Sequence, residues 1–336
     1  MSTVAQLEER KQEQVDFKRV LMAADFSAAS DRALAHALAI ARRFGAEISL
    51  VHAISPGPRE PIPMDPLPRE LDRERLQAER EMQRLELEVE LRDLAHRVLI
   101  ERGSVWSVLS SIIDRDHPGL LVLGTHGRTA LKKLVLGSVA EEVLRLAPCP
   151  VLTIGPKAAP PSSDVANFKS ILFATDFGPA SAKAFPYALL LAQDCRSKLI
   201  LLHMVPPMAV ANTGPAAYGA ATYADEDLTA WQSGMREESS RKLRELIPPD
   251  AKLATQPEYV VATDFLPGGI LEAAATHHAE LIVMGANHTR SARLAAHVPW
   301  AVISDVEGPL LEAAADCGRS CLPGRQSHET GLRKSL

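Results

Sequence analysis

Apolar residues along this chain fall into short runs, and the runs are separated by longer stretches with helical spacing. The pattern predicts a strand over Arg19–Ala23 and an amphipathic helix over Ala28–Phe44. Gly45 follows that helix as its expected left-handed stop. A second strand is predicted at Glu47–Ala53, then a long charged helix from about Arg69 to Leu94, with Leu76, Met82, Leu85 and Leu87 on or near its apolar side. A strand at His96–Glu101, a helix at Val105–Asp114, a strand at Leu120–Leu123, a helix at Ser138–Leu146 and a strand at Val151–Ile154 complete the series. Strand–helix alternation of this kind implies a parallel, doubly wound sheet, in which ligands sit at the carboxyl ends of strands. Asp25, Ala53 and Gly124 fall at such ends.

The pattern then repeats. Phe17-Lys18-Arg19-Val20-Leu21-Met22-Ala23-Ala24-Asp25-Phe26 recurs as Phe168-Lys169-Ser170-Ile171-Leu172-Phe173-Ala174-Thr175-Asp176-Phe177. His52 recurs as His203, and Leu121-Val122-Leu123-Gly124 as Ile282-Val283-Met284-Gly285. Between these landmarks the second unit is longer by ten residues, which the Pro-, Gly- and Ala-rich stretch Pro206–Ala224 accommodates as a loop. A Pro/Ala/Ser-rich linker, Lys157–Val165, separates the units. The expected fold is therefore α/β, with two tandem, doubly wound, mostly parallel five-stranded sheets carrying helices on both faces (Rossmann-like). The expected units are residues 17–157 and 166–311. Residues 312–336 lack periodicity and read as a disordered tail or as the product of a frame change.

Composition narrows the class. With 336 residues and 46% hydrophobic content the chain suits two globular cores. A net charge of -5 gives no basic bias toward nucleic acid. No apolar run is long enough for a bilayer, so no membrane association is expected. The first 16 residues are polar and lack a secretory apolar core. Four scattered cysteines are too few for a disulfide framework, and a reducing cytoplasm is the expected compartment. Cys317, Cys321 and His328 match no standard zinc spacing.

The candidate chemistry centres on Gly124-Thr125-His126-Gly127, then nine residues, then Gly137-Ser138. Closely spaced glycines let backbone N–H groups approach a phosphate, and a helix beginning at Ser138 would add its positive end. Ser138 with Glu141 also has the sequence of a capping box, so a helix cap competes with phosphate contact as its role. Asp25 is open between a turn residue and a ribose or metal contact. Arg128, Lys132 and Lys133 lie in the spacer, where one could meet a terminal phosphate or all could be solvated surface. His126 has no Ser, Cys or carboxylate partner at a fixed spacing and reads as positional. His52 and His203 end apolar strands and read as satisfied, half-buried histidines; His277 and His278 read as exposed.

The Gly-x-x-Gly, nine-residue, Gly-Ser string followed by Ala147-Pro148-Cys149-Pro150-Val151-Leu152 resembles the universal stress protein family, in a tandem arrangement. The resemblance implies an ATP-binding protein of the stress response that senses or signals through bound nucleotide, with or without Mg2+, and with at most slow ATPase activity. It implies that Ala23, Ala24 and Asp25 border the nucleotide and that Ala53 presents backbone to adenine. Leu123, Gly124, Gly127 and Arg128 would flank ribose and phosphates, and Gly137, Ser138 and Val139 would hold the phosphate tail. In the second unit Gly127 is replaced by His288, Gly137 by Val298 and Ser138 by Pro299, so ATP is expected in the first unit only. An ATP-hydrolysing or nucleotidyl-transfer enzyme and a nucleotide-free dimerisation module are the rival readings. Because the second unit ends in the short Gly308-Pro309-Leu310-Leu311, Val151–Ile154 is expected to stand as an exposed edge through which the protein self-associates.

Overall fold

The structure, a computed structural model, describes residues 15, 17–54, 68–88, 91, 93–125, 137–155, 157–205, 225–286 and 309–314. In the first half the elements are β1 (Arg19–Ala23), α1 (Ala28–Phe44), β2 (Glu47–Ile54), α2 (Pro68–Glu88), β3 (His96–Arg102), α3 (Val105–Asp116), β4 (Leu120–Gly124), α4 (Ser138–Leu146) and β5 (Val151–Ile154). In the second they are β6 (Ser170–Thr175), α5 (Pro179–Asp194), β7 (Lys198–Val205), α6 (Asp225–Glu245), β8 (Glu258–Thr263), α7 (Gly268–Thr276), β9 (Leu281–Ala286) and β10 (Leu310–Ala314). Among the described residues no helix is long and apolar enough to cross a membrane.

Both five-stranded halves form as expected, but they join into one ten-stranded sheet, ordered β3-β2-β1-β4-β5-β10-β9-β6-β7-β8. Neighbours within each half are parallel; the central β5–β10 pair is antiparallel. Central strands such as β6, with all six residues buried, are covered on both faces, which is why they read as unbroken apolar runs. Residues of α1, α2, α5 and α6 share one core layer and those of α3, α4 and α7 the other.

Local chemistry sets the helix ends. Ser27 caps α1, its hydroxyl accepting from the Ser30 N–H, and Gly45 stops the helix at φ 60 with its N–H on the Ala41 carbonyl. α2 ends at Glu88, short of the expected Leu94, because Leu91 and Leu94 turn inward to start β3 and are both buried. Its buried stripe is Ala78, Met82 and Leu85, whereas Leu76 and Leu87 stay exposed, a narrower face than the sequence suggested.

The seam between the halves follows the repeat. Leu310, Leu311 and Glu312 pair with Thr153, Leu152 and Val151. Around the seam, the small space between the layers is walled by four equivalent pairs: Phe17 and Phe168, Ile40 and Leu191, Leu120 and Leu281, Leu152 and Leu311. Arg43 of α1 and Asp194 of α5, again equivalent positions, form an ion pair above it. β5 thus has a neighbour on each side, and all four of its residues are buried. The expected exposed edge at Val151–Ile154 is not observed, because β10 takes the place that a second chain would have filled. The edges of the sheet are β3 and β8, each paired on one side only. β10 also runs to Ala314, so residues 312–314 of the expected tail are strand; residues 315–336 and the loop Pro206–Ala224 lie outside the described residues.

At equivalent positions near the two edges, acidic and basic side chains exchange places. In the first half Arg97 sits between Glu47 (2.7 Å) and Asp116 (3.2 Å). In the second, Glu258 sits between Lys198 (2.6 Å) and His277 (3.3 Å). The Lys198 hydrogen bond holds the Glu258 carboxyl below its usual range. His277, expected to be exposed, is half-buried with Nδ1 3.3 Å from Glu258, whereas its neighbour His278 is exposed.

The linker crosses α1 and is fastened to it. His36 Nε2–H donates to the Ala159 carbonyl (3.0 Å), and the Ala166 N–H donates to the Ala39 carbonyl (2.9 Å). Burial pushes the His36 imidazole below its usual 6.5, with the Ala159 hydrogen bond opposing the shift.

Two outcomes follow from this packing. Leu152 and Leu311 are 1% and 2% exposed; replacing either by Ala is expected to cost about 2–5 kcal/mol in urea denaturation, with both halves melting in one transition. For His36, the unfolded chain takes up a proton at the ordinary value, before the folded protein does. Stability is then full above pH 6.5 and falls as the pH drops below it. A His36→Gln variant should lose less stability than the parent on going from about pH 7 to 5, by denaturant midpoints at each pH.

Candidate functional site

The carboxyl ends of β1, β2 and β4 meet the amino-terminal ends of α1 and α4. After Ala23, the Ala24 N–H bonds the Val51 carbonyl (2.8 Å), which extends the β1–β2 ladder by one residue. The chain then turns sharply. Asp25 N–H donates to Ser30 Oγ (3.2 Å), Asp25 Oδ1 accepts from the Ser27 N–H (3.0 Å), and Phe26 takes φ 60. The Asp25 carboxylate therefore has a structural task in this turn. The strained Phe26 is held by stacking on His52, with ring centroids 4.4 Å apart, and His52 Nδ1–H donates to the Ala24 carbonyl (2.8 Å). His52 is thus the satisfied strand-end histidine that the sequence suggests, and half-buried Ala53 follows it on β2.

On β4, Leu123 is buried and Gly124 is half-buried. A Cβ on Gly124 would stand 2.9 Å from the Ala29 carbonyl carbon, in the first turn of α1. The glycine is thus required by close packing of α1 on β4. Thr125 is fully buried, with its N–H on the Ile154 carbonyl (3.1 Å). The Gly137 N–H then bonds the Thr125 carbonyl (2.9 Å), so the two ends of the segment 126–136 are tied together. Gly127, Arg128, His126, Lys132 and Lys133 lie within that segment, outside the described residues.

Gly137 is the N-cap of α4, and Ser138 is its first helical residue. The capping box expected from Ser138 and Glu141 is not formed: the cap is a residue earlier, and glycine has no side chain to bond. The first helical bond runs from the Glu141 N–H to the Gly137 carbonyl. The N–H groups of Ser138, Val139 and Ala140 therefore have no acceptor within the helix. Ser138 and Val139 are exposed. The sequence missed the cap position because Ser and Gly are both acceptable caps, and only the backbone angles at Gly137 (φ -64, ψ 143) separate them.

Reactive side chains are scarce here. Cys149 is buried, and burial pushes its thiol up to about 12. No group of three or more His, Cys, Asp or Glu residues suited to a metal ion occurs among the described residues. Cys317, Cys321 and His328 lie outside them.

The second half repeats the turn closely. Phe177 takes φ 59 and stacks on His203 at 4.4 Å, His203 Nδ1–H donates to the Thr175 carbonyl (2.8 Å), and Asp176 N–H donates to Ser181 Oγ (3.3 Å). Gly285 packs more tightly than its counterpart, since a Cβ there would meet the Ala180 carbonyl carbon at 2.2 Å. His288, Val298 and Pro299 lie outside the described residues. Because β5 and β10 are antiparallel, the carboxyl ends of the two halves point to opposite ends of the sheet.

Two doubly wound halves of strand order 3-2-1-4-5, with a glycine-flanked helix start beyond β4, define a duplicated α/β protein of the class that binds ligands at the carboxyl ends of its strands. The family model of the Universal stress protein family matches residues 16–155 and again 167–311. The chain belongs to that family and carries its domain twice. A universal stress protein of Thermus aquaticus is 36% identical over 142 residues, covering 41% of this chain and 98% of that protein. One from Methanocaldococcus jannaschii is 28% identical over 142 residues, covering 41% and 82%. The crystal structure of a universal stress protein from Archaeoglobus fulgidus covers 90% of this chain and all of its own, with a TM-score of 0.61 at 18% identity. A functionally unknown protein from Pseudomonas aeruginosa shares the fold with the same TM-score, at 16% identity.

The glycine packing gives a graded expectation. Gly124→Ala must displace the first turn of α1 and should cost about 1–3 kcal/mol. Gly285→Ala, with its closer contact, should cost more. Thermal denaturation of the two variants side by side tests the order.

Proposed function

We propose that the first unit, residues 17–157, binds ATP or a related adenine nucleotide, and that the protein serves the stress response by sensing or signalling through it. The second unit, residues 166–311, packs against the first and holds no triphosphate. Membership of the universal stress protein family supports the stress-response role. The observation that carries the nucleotide reading is the exposed start of α4. Its N–H groups at Ser138, Val139 and Ala140 have no side-chain cap, and it lies just beyond the carboxyl end of β4. A helix start of this kind favours an anionic group, through free N–H donors and the positive end of the helix dipole.

In this reading Ala23, Ala24, Asp25 and Ala53 line the nucleoside side, where β1 and β2 end. Leu123 and Gly124 form the floor, and Gly127, Arg128, Gly137, Ser138 and Val139 hold the phosphates. Any Mg2+ comes with the nucleotide and is carried mainly by its phosphates. The turn geometry supports binding over rapid turnover. The Asp25 carboxylate is bonded to the Ser27 N–H and His52 donates to the Ala24 carbonyl, so both side chains are committed to holding the strand ends. In the second unit Val298 and Pro299 replace Gly137 and Ser138, and proline removes one of the N–H donors.

Titration calorimetry should find one ATP per chain. Gly137 has backbone angles open to any residue, so Gly137→Val should leave the fold intact, at a cost of about 1 kcal/mol, while its branched side chain blocks anion approach and abolishes binding. Two equal sites, no site, or full binding by the folded Gly137→Val variant would each refute the proposal.

A further inference from the structure

A hollow of about 250 Å³ lies where the linker crosses the seam between the halves. Its floor is apolar, made by Ala39 of α1, by Ala166 and Phe168 at the end of the linker, and by Pro309 before β10. The two repeats differ at one equivalent position beside it. Tyr187 of α5 occupies the place that His36 occupies in α1, and its ring packs 5.8 Å from Phe17. His36 is smaller, and its ring is drawn to the Ala159 carbonyl of the linker. The space beside Phe168, the counterpart of Phe17, is left unfilled.

The charge of the lining is one-sided. Glu280 contributes a carboxylate at the second-half wall, and among the described residues no Lys or Arg side chain lines the hollow. Glu280 Oε2 accepts from the Lys169 N–H (2.7 Å), which fixes the carboxylate in place. Burial disfavours the charged form of His36. From the apolar lining and the fixed carboxylate, we propose that this seam hollow binds a small organic cation with an apolar body, of the aryl- or alkyl-amine class. The body lies against Ala159, Pro160 and Pro161 of the linker, above the buried floor, and the ammonium pairs with Glu280 in a charge-assisted hydrogen bond. The site is built from both halves and the linker together, and it is separate from the nucleotide reading.

Phenethylamine and 3-phenylpropionate are matched probes, alike in body and opposite in charge. In the full-length protein with 13C-labelled alanine methyls, phenethylamine should give saturable shifts at Ala39 and Ala166, with Kd about 1 mM for a ligand of this size. The carboxylate probe should bind at least tenfold more weakly. Glu280→Gln keeps the acceptor for Lys169 and should bring the two probes to within about twofold of each other. His36→Tyr puts the larger side chain of the equivalent second-half position into the hollow and should abolish the shifts. Absence of saturable shifts in the parent protein, equal binding of both probes to it, or unchanged binding in a folded His36→Tyr protein would overturn the assignment. The Glu280→Gln comparison decides the matter if His36→Tyr fails to fold.

Discussion

Everything in this protein is arranged about the antiparallel pairing of β5 with β10. Each half alone is a parallel sheet whose last strand would end in a row of unpaired backbone groups and an uncovered apolar flank. Joining the two removes both costs at once. Leu152 and Leu311, Phe17 and Phe168, Ile40 and Leu191, and Leu120 and Leu281 close around the seam as equivalent pairs. One chain thereby reproduces the geometry of a two-fold dimer, with covalent linkage in place of association. The same pairing sends the strand carboxyl ends of the two halves to opposite ends of the sheet, so each candidate site stands alone.

Duplication has also left a record of what the fold itself needs. The positive-φ phenylalanine stacked on a strand-end histidine is present in both halves with nearly the same geometry. So is the glycine at the end of the β4-type strand, pressed against the first turn of the helix that follows the first strand of its half. These features accompany the turn from β1 to α1 whether or not a glycine cradle follows. The part that differs in sequence, Gly137 and Ser138 against Val298 and Pro299, lies at a helix start. There, backbone donors decide what can be held. The triads near the two sheet edges show the same freedom in another form: the contacts are retained while acidic and basic side chains exchange places.

Much of the fold was legible in the order of residues. Strand positions were plain because β1, β4, β5 and the repeats of the first two are short, largely buried apolar runs, and α1 was bounded by Ser27 and Gly45, whose chemistry is local. α2 was read too long because Leu91 and Leu94 continue the apolar spacing of a helix. Their burial depends on where β3 begins, which no local rule specifies. The site was legible in outline. Gly124, Gly137 and Ser138 do gather at the strand ends, yet the task of each was not. Gly124 serves packing, Gly137 rather than Ser138 is the cap, and Asp25 and His52 are occupied in holding a turn.

The sequence by itself determined the duplication, the strand–helix alternation and the family, because hydrophobic period and motif spacing are properties of neighbours along the chain. It also located the asymmetry between the halves, since a glycine replaced by valine or proline is visible without coordinates. Only the tertiary structure decided that Val151–Ile154 is an inner strand, for the five residues of β10 pair across a distance in sequence that no local pattern spans. It alone placed His36 opposite the linker and Tyr187 against Phe17. Whether a side chain fills a space depends on what the rest of the chain brings to its other side.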